Sequence, residues 1–191
     1  MKKKLAIFAS GSGSNAENII TYFSGNDNVS FPFILCNKED AYVKVRAERL
    51  GVPFRYFTKE EWKDGTVLGW LREEKIDFVI LAGFLLKVPV SMIQEFPNRI
   101  VNIHPALLPK YGGKGMYGMH VHEAVVAAGE KESGISIHYV NENLDAGQVI
   151  FQAKVKVAPT DTPEDVAHNV HELEYEYFPK VIAQVIGEAG K

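Results

Sequence analysis

Residues 4–20 read Lys4-Leu5-Ala6-Ile7-Phe8-Ala9-Ser10-Gly11-Ser12-Gly13-Ser14-Asn15-Ala16-Glu17-Asn18-Ile19-Ile20, or KLAIFASGSGSNAENII, and this stretch decides the fold class. Its first half is short, continuous and apolar, the composition of a strand buried on both faces. A Gly-Ser-Asn loop follows, and beyond it Ile19, Ile20 and Phe23 fall on one face of a helix.

The same alternation runs on for about half the chain. Strands are expected at 29–38, 52–58, 77–84 and 99–106, and helices at 40–51, 59–76 and 88–97. Pro32 makes the start of 29–38 a poor central strand, because it has no N–H to donate. Asp40 and Gly51 suit the start and stop of the helix at 40–51, and Gly65 is expected to break the one at 59–76. Strands alternating with helices predict right-handed crossovers, hence an α/β fold with an open, mostly parallel twisted sheet and helices on both faces.

After residue 106 the pattern changes. A Gly-rich loop at 110–120 leads to a helix at 121–129, then to strands at 134–141 and 147–157 separated by the turn 142–146. This predicts an antiparallel strand addition near the C-terminus. One long helix, 162–188, closes the chain. Thr162 with Asp165 resembles a capping box, and Pro163 suits the first helical position.

The bulk composition narrows the function. With 191 residues, 46% of them apolar, the chain fits one domain with ample core. A net charge of −3 supplies no basic field for a nucleic acid backbone. The basic head Lys2-Lys3-Lys4 precedes an apolar run too short for a signal peptide. No apolar run reaches the roughly 18 residues of a membrane span. The single cysteine, Cys36, forms no internal disulfide and reads as a small buried hydrophobe. A soluble, cytoplasmic protein is expected.

The loop Ser10–Asn15 lies where helix N-terminal amides in an α/β sheet point at an anion. It lacks the Lys of a Walker loop, and Ala16 stands where a dinucleotide fingerprint has its third Gly. A monophosphate fits better than a dinucleotide; the alternative is a tight turn capped by Ser and Asn. The second constellation lies in RIVNIHPALLPK, residues 99–110. Asn102 and His104 are two apart, so they share a face at the end of a strand that Pro105 stops. An amide and an imidazole there suit a developing oxyanion and a proton to be moved. Asp145, in NENLDAGQ, is the carboxylate best placed to serve the imidazole; the alternative is an Asp that merely builds a turn. His120-x-His122 with Glu123 lacks further ligands to complete a metal shell, so no metal is expected.

FASGSGSNAENI, LAGF, NIHPALLPKY, SGISIHYVNENLDAGQVIFQ and the long C-terminal helix resemble the folate-dependent phosphoribosylglycinamide formyltransferase family, over nearly the whole chain. The resemblance implies a Rossmann-like formyltransferase fold in one domain, 1–191, with a phosphate-binding mononucleotide half at 1–100 and a catalytic and folate half at 101–191. It implies direct transfer of the formyl group of 10-formyltetrahydrofolate, as co-substrate, to the amine of glycinamide ribonucleotide in purine (IMP) biosynthesis, through a tetrahedral intermediate and without metal. By position, Asn102 and His104 would stabilise the oxyanion, while Asp145 would hold the imidazole protonated and relay the proton through water. Gly13, Ser14 and Asn15 would hold the phosphate, and Glu174 the ribose. Reduced folate would lie against the backbone of Leu85, Leu86, Lys87 and Val88, near Asn102, and against the turn from Asn141 to Asp145. His138 and His120 match family histidines near the site, and His171 falls near Glu174.

The chain departs from the common pattern in three places. Leu85-Leu86-Lys87-Val88 stands where many members have Met-Arg-Ile-Leu, and Lys59 or Lys63 stands in for an Arg near the folate tail. The loop 112–119 is longer than usual. Rival readings are a formyltetrahydrofolate hydrolase, a sugar-nucleotide formyltransferase, and a nucleotide-binding module, which needs the loop but not the Asn-His-Asp set. Nucleic acid and membrane partners are not expected, and the protein is expected to be a monomer or homodimer.

Overall fold

The computed structural model describes residues 1–188; residues 189–191, the end of the range expected for the second half, lie outside the described residues. Among the described residues, eight strands form a mostly parallel α/β sheet with antiparallel pairing on its C-terminal side. The chain divides into two compact units, Met1–Val101 and the residues from Asn102 on.

The first unit runs β1 (Lys3–Ala9), α1 (Ser14–Tyr22), β2 (Val29–Ser30), β3 (Ile34–Cys36), α2 (Val43–Leu50) and β4 (Phe54–Tyr56). It continues with α3 (Lys59–Lys63), α4 (Thr66–Glu73), β5 (Phe78–Leu81) and α5 (Val90–Glu95). β1 is the hub, parallel to β3 on one side and to β5 on the other, with β4 beyond β3. From Leu5 to Ala9 every side chain is fully buried, as in a central parallel strand covered on both faces. From β1 the chain first winds through β3 to β4, and only then returns to place β5 on the other side of β1. The strand order therefore reverses between β1 and β5, and the crevice beyond their carboxyl ends is where such sheets bind ligands.

The strand expected at 29–38 is two strands. Val29–Ser30 pairs with Lys3–Lys4, and Ile34–Cys36 pairs with Ile7–Ala9. Pro32 sits in the break, where its missing N–H costs no ladder bond. Gly65, at φ 90°, separates α3 from α4 as its backbone freedom predicts. Asp40 does not cap α2, which starts from Tyr42 with no side-chain cap.

The second unit contains β6 (Ile100–His104, which enters from the first), α6 (Met119–Ala127), β7 (Glu132–Tyr139), β8 (Val149–Lys156) and α7 (Pro163–Glu188). β7 and β8 pair antiparallel from Glu132↔Lys156 to His138↔Val149, with a bulge after Ile137. α7 packs on β7, β8 and α6, and buries Val170, Phe178 and Ile182. Its capping box forms: the Asp165 N–H meets Thr162 Oγ at 3.2 Å, and the Thr162 N–H meets Asp165 Oδ2 at 2.9 Å. Among the described residues no helix is long and apolar enough to cross a membrane.

Gly134 lies mid-strand where a Cβ would overlap the Ala153 carbonyl oxygen and press on Leu107. Gly134→Ala should therefore cost about 1–3 kcal/mol or more of unfolding free energy, read from the urea midpoint. Gly69→Ala, inside α4 with open space around it, should instead be neutral or stabilising by up to about 1 kcal/mol.

Candidate active site

In the first unit, the loop after β1 is held from behind. The carbonyls of Gly11, Ser12 and Gly13 accept from the Val43 N–H at 3.1 Å, Arg46 Nε at 2.7 Å and the Glu17 N–H at 2.9 Å. Arg46 also pairs with Glu17 at 2.6 Å, which holds that carboxyl below the usual carboxylate range. Gly13 is itself the N-cap of α1, in left-handed backbone at φ 75°, and a Cβ there would overlap Val43. No side chain caps α1, so the capped-turn alternative does not describe this helix start. Gly13 is buried, with Ser14 and Asn15 half-buried at the helix N-terminus, the geometry that favours an anion.

Beyond β5, Gly83 to Pro89 have no regular structure. The side chains of Leu85 and Lys87 are exposed, Leu86 is half-buried and Val88 is buried. Trp62, stacked on Phe57 at 5.3 Å, donates Nε1–H to the Lys87 carbonyl at 2.9 Å.

In the second unit, β6 delivers Asn102 and His104 beside the turn that carries Asp145. His104 is buried, with Nε2 2.7 Å from the Tyr111 carbonyl, so Nε2 carries a proton. Its Nδ1 lies 3.7 Å from Asp145 Oδ2. Asp145 adopts left-handed backbone at φ 52°, and its Oδ2 accepts the Gly113 N–H at 2.9 Å. Beneath the turn, a Cβ on Gly147 would overlap the Tyr139 carbonyl, so this chain reversal needs glycine.

His138 joins the same cluster. Its Nδ1 lies 2.9 Å from the Tyr139 carbonyl, which only an N–H can meet. Burial holds the ring below the usual imidazole range, so it is neutral and Nε2 keeps its lone pair. That lone pair accepts from Asn102 Nδ2 at 3.1 Å, which fixes which way round the Asn102 amide sits. Asp145 Oδ1 lies 3.9 Å from the same nitrogen.

Glu174 on α7 is only 4% exposed, not on a solvated helix face. His171 Nδ1 stands 3.1 Å from Glu174 Oε2, and this contact raises the His171 pKa. The buried ring of His122 lies 6.4 Å from that of His171, and its pKa is lowered by burial and by the two neighbouring histidines, His171 and His104. Asn141 is exposed, its Oδ1 accepting the Asn143 N–H at 2.9 Å. His120 is exposed as well, 3.6 Å from Glu123 and edge-on to Tyr117, beside an open surface cavity of about 550 Å³.

The structure thus brings Asn102, His104, Asp145 and His138 together. The Tyr111 carbonyl is a partner of His104 that reading the sequence missed, and His122, read there only as half of an incomplete metal pair, is buried. Among the described residues no group of three or more His, Cys, Asp or Glu could hold a metal ion.

The model of the formyl transferase family matches residues 3–182. The chain is 42% identical over 194 residues to the chloroplastic phosphoribosylglycinamide formyltransferase of Arabidopsis thaliana, covering 98% of this chain and 66% of that protein. It is 34% identical to the phosphoribosylglycinamide formyltransferase of Bacillus subtilis, covering 97% of this chain and 95% of that protein. The chain thus spans about two thirds of the length of the plant relatives, 66% and 62%, and nearly all of the bacterial one. The crystal structure of phosphoribosylglycinamide formyltransferase from Streptococcus pneumoniae TIGR4 superposes with a TM-score of 0.86 at 36% identity, over 97% of this chain and 99% of that one.

The two histidines near Glu174 should mark stability with opposite signs. The raised His171 pKa stabilises the fold below the ordinary imidazole value of about 6.5, and that gain is lost as pH rises through the folded value. The lowered His122 pKa stabilises above about 6.5, and that gain is lost as pH falls. In denaturant titrations from about pH 8 to pH 5, His171→Gln should therefore lose most relative to wild type at the acid end. His122→Gln should be less sensitive to acid than wild type.

Proposed function

The chain belongs to the formyl transferase family, and on that footing we propose that it transfers the formyl group of 10-formyltetrahydrofolate to the amine of glycinamide ribonucleotide, as in purine biosynthesis. The observation that carries this reading is the convergence of the Asn102 amide, the His104 imidazole and the Asp145 carboxylate around one buried strand end. The names of the relatives support the choice of substrates.

The chemistry follows from these groups. The amine lone pair attacks the formyl carbon, a C–N bond forms, and the carbonyl oxygen becomes an oxyanion. Collapse breaks the bond to the folate nitrogen, which takes up the proton the amine loses. The Asn102 amide, oriented by neutral His138, keeps one N–H for the oxyanion, and the Nε2–H of His104 joins it by turning from the Tyr111 carbonyl that holds it in the free protein. Asp145 stands 3.7 Å from the ring, where a carboxylate compensates positive charge as the proton moves. No step calls for a metal.

The binding roles belong to the same proposal. Gly13, Ser14 and Asn15 take the phosphate, and Glu174, steadied by His171, takes the ribose hydroxyls. The backbone of Leu85, Leu86, Lys87 and Val88 and the turn from Asn141 to Asp145 take the folate. Residues 1–100 serve as the phosphate half and 101–191 as the catalytic half, in a cytoplasmic monomer or homodimer.

Release of tetrahydrofolate should require the ribonucleotide, with formylglycinamide ribonucleotide appearing in equal amount. Release without it indicates a hydrolase, and release only with a sugar-nucleotide amine indicates that transferase. His104→Ala should lower kcat by about 10²–10⁴ and Asn102→Ala by about 10²–10³, with dissociation constants for both substrates changed only a few-fold.

A further inference from the structure

Ser10 closes β1 and opens the glycine loop, and it is 2% exposed. Its hydroxyl has two partners. Oγ donates to Asn37 Oδ1 at 2.7 Å, just past the end of β3, and accepts the Leu85 N–H at 3.0 Å, just past the end of β5. Its backbone N–H adds a third tie, to the Gly83 carbonyl at 3.0 Å. One small side chain thus joins the carboxyl ends of three adjacent strands at the point where the strand order reverses.

The segment after β5 depends on this joint. Between Gly83 and Pro89 no ladder or helix fixes the backbone. Ser10 fixes it at Leu85, and the indole of Trp62 fixes it two residues on, at the Lys87 carbonyl. Trp62 is itself immobilised among Phe8, Phe57 and Phe84, with ring centroids 5.1–5.4 Å away. A buried hydroxyl turned by an amide is a stiff acceptor for the Leu85 N–H, and an indole wedged in an aromatic nest is a stiff donor to the Lys87 carbonyl.

We propose that Ser10 and Trp62 are positioning residues for the reduced folate: they hold the backbone between Leu85 and Lys87 in the conformation that the pterin reads. This rests on the folate reading above. Recognition by backbone needs its N–H and C=O groups held to within a fraction of an ångström, and side chains outside the segment supply that rigidity. Neither residue touches the folate in this scheme; each acts through the peptide groups it holds.

The test is equilibrium binding of tetrahydrofolate, beside steady-state kinetics, for wild type, Ser10→Ala, Ser10→Thr and Trp62→Phe. Trp62→Phe keeps an aromatic ring but removes the indole N–H together with part of the buried ring volume, so its urea midpoint is measured beside its binding. Ser10→Ala and Trp62→Phe should each weaken tetrahydrofolate binding and raise KM for 10-formyltetrahydrofolate about five- to twentyfold, the range expected when one buried hydrogen bond is lost. KM for the ribonucleotide and kcat should stay within about twofold. Ser10→Thr, which keeps the hydroxyl, should recover most of the loss. Unchanged tetrahydrofolate affinity in Trp62→Phe and in any folded Ser10→Ala protein would overturn the proposal, leaving two structural residues. A wild-type protein that binds no tetrahydrofolate would overturn the folate reading and this proposal with it. Should Ser10→Ala fail to fold, Trp62→Phe decides alone.

Discussion

The constraint on which the first unit depends is the burial of β1. A parallel strand with neighbours on both edges and both faces buried offers polar chemistry at its carboxyl end. From Leu5 to Ala9 no polar side chain is tolerated, and the first one, Ser10, appears at the step where the strand ends. That hydroxyl is still buried, so it must be satisfied, and the two strands beside β1 are what it finds. The glycine loop then leaves with its carbonyls tied backward to α1 and α2, which turns its amide side toward the helix start. Burial of one strand thus sets where both loops of this unit lie.

The second unit meets the opposite problem. It buries His104, His122, His138 and Glu174, polar groups that cost free energy wherever they lack partners. Each histidine is handled differently. His138 is kept neutral by burial, and two neighbours dictate its tautomer. His104 spends one nitrogen on a loop carbonyl and offers the other toward a carboxylate. His122 is pushed toward neutrality and leaves Nδ1 without a hydrogen-bond partner. The outcome is a set of buried imidazoles whose environments differ sharply within one compact unit, the arrangement expected where proton transfer has to be directed.

Much of this was legible in the sequence because it depends on short-range patterning. Continuous apolar runs alternating with helical periodicity gave the parallel sheet, and Gly65 and the Thr162–Asp165 pair marked helix ends whose physics is local. Two-residue spacing put Asn102 and His104 on one face before any tertiary contact was considered. What the sequence hid depends on distance along the chain. Ser10 and Leu85 are 75 positions apart, and nothing in either neighbourhood announces the bond. Burial of Glu174 follows from packing of α7 on β7, β8 and α6, which helical periodicity alone leaves ambiguous. The Tyr111 carbonyl reaches His104 because Tyr111 itself adopts left-handed backbone at φ 55°, a conformation sequence rarely forecasts for an aromatic residue.

The departures from the family pattern make physical sense on the same terms. Where many members carry Met-Arg-Ile-Leu, this chain carries Leu85-Leu86-Lys87-Val88, with the basic residue displaced by one position. A site read through side chains would lose its specificity under such a shift, since neighbouring residues in extended chain point to opposite sides. A site read through peptide N–H and C=O groups keeps its donors and acceptors whatever side chains stand there, provided the backbone path is preserved. Here the path is held from outside the segment, by a serine hydroxyl and an indole N–H. Side-chain identity at 85–88 is then free to change while Ser10 and the aromatic nest around Trp62 are not. On the proposed folate reading, specificity at 85–88 rests on the buried residues that hold the backbone rather than on the side chains of the segment.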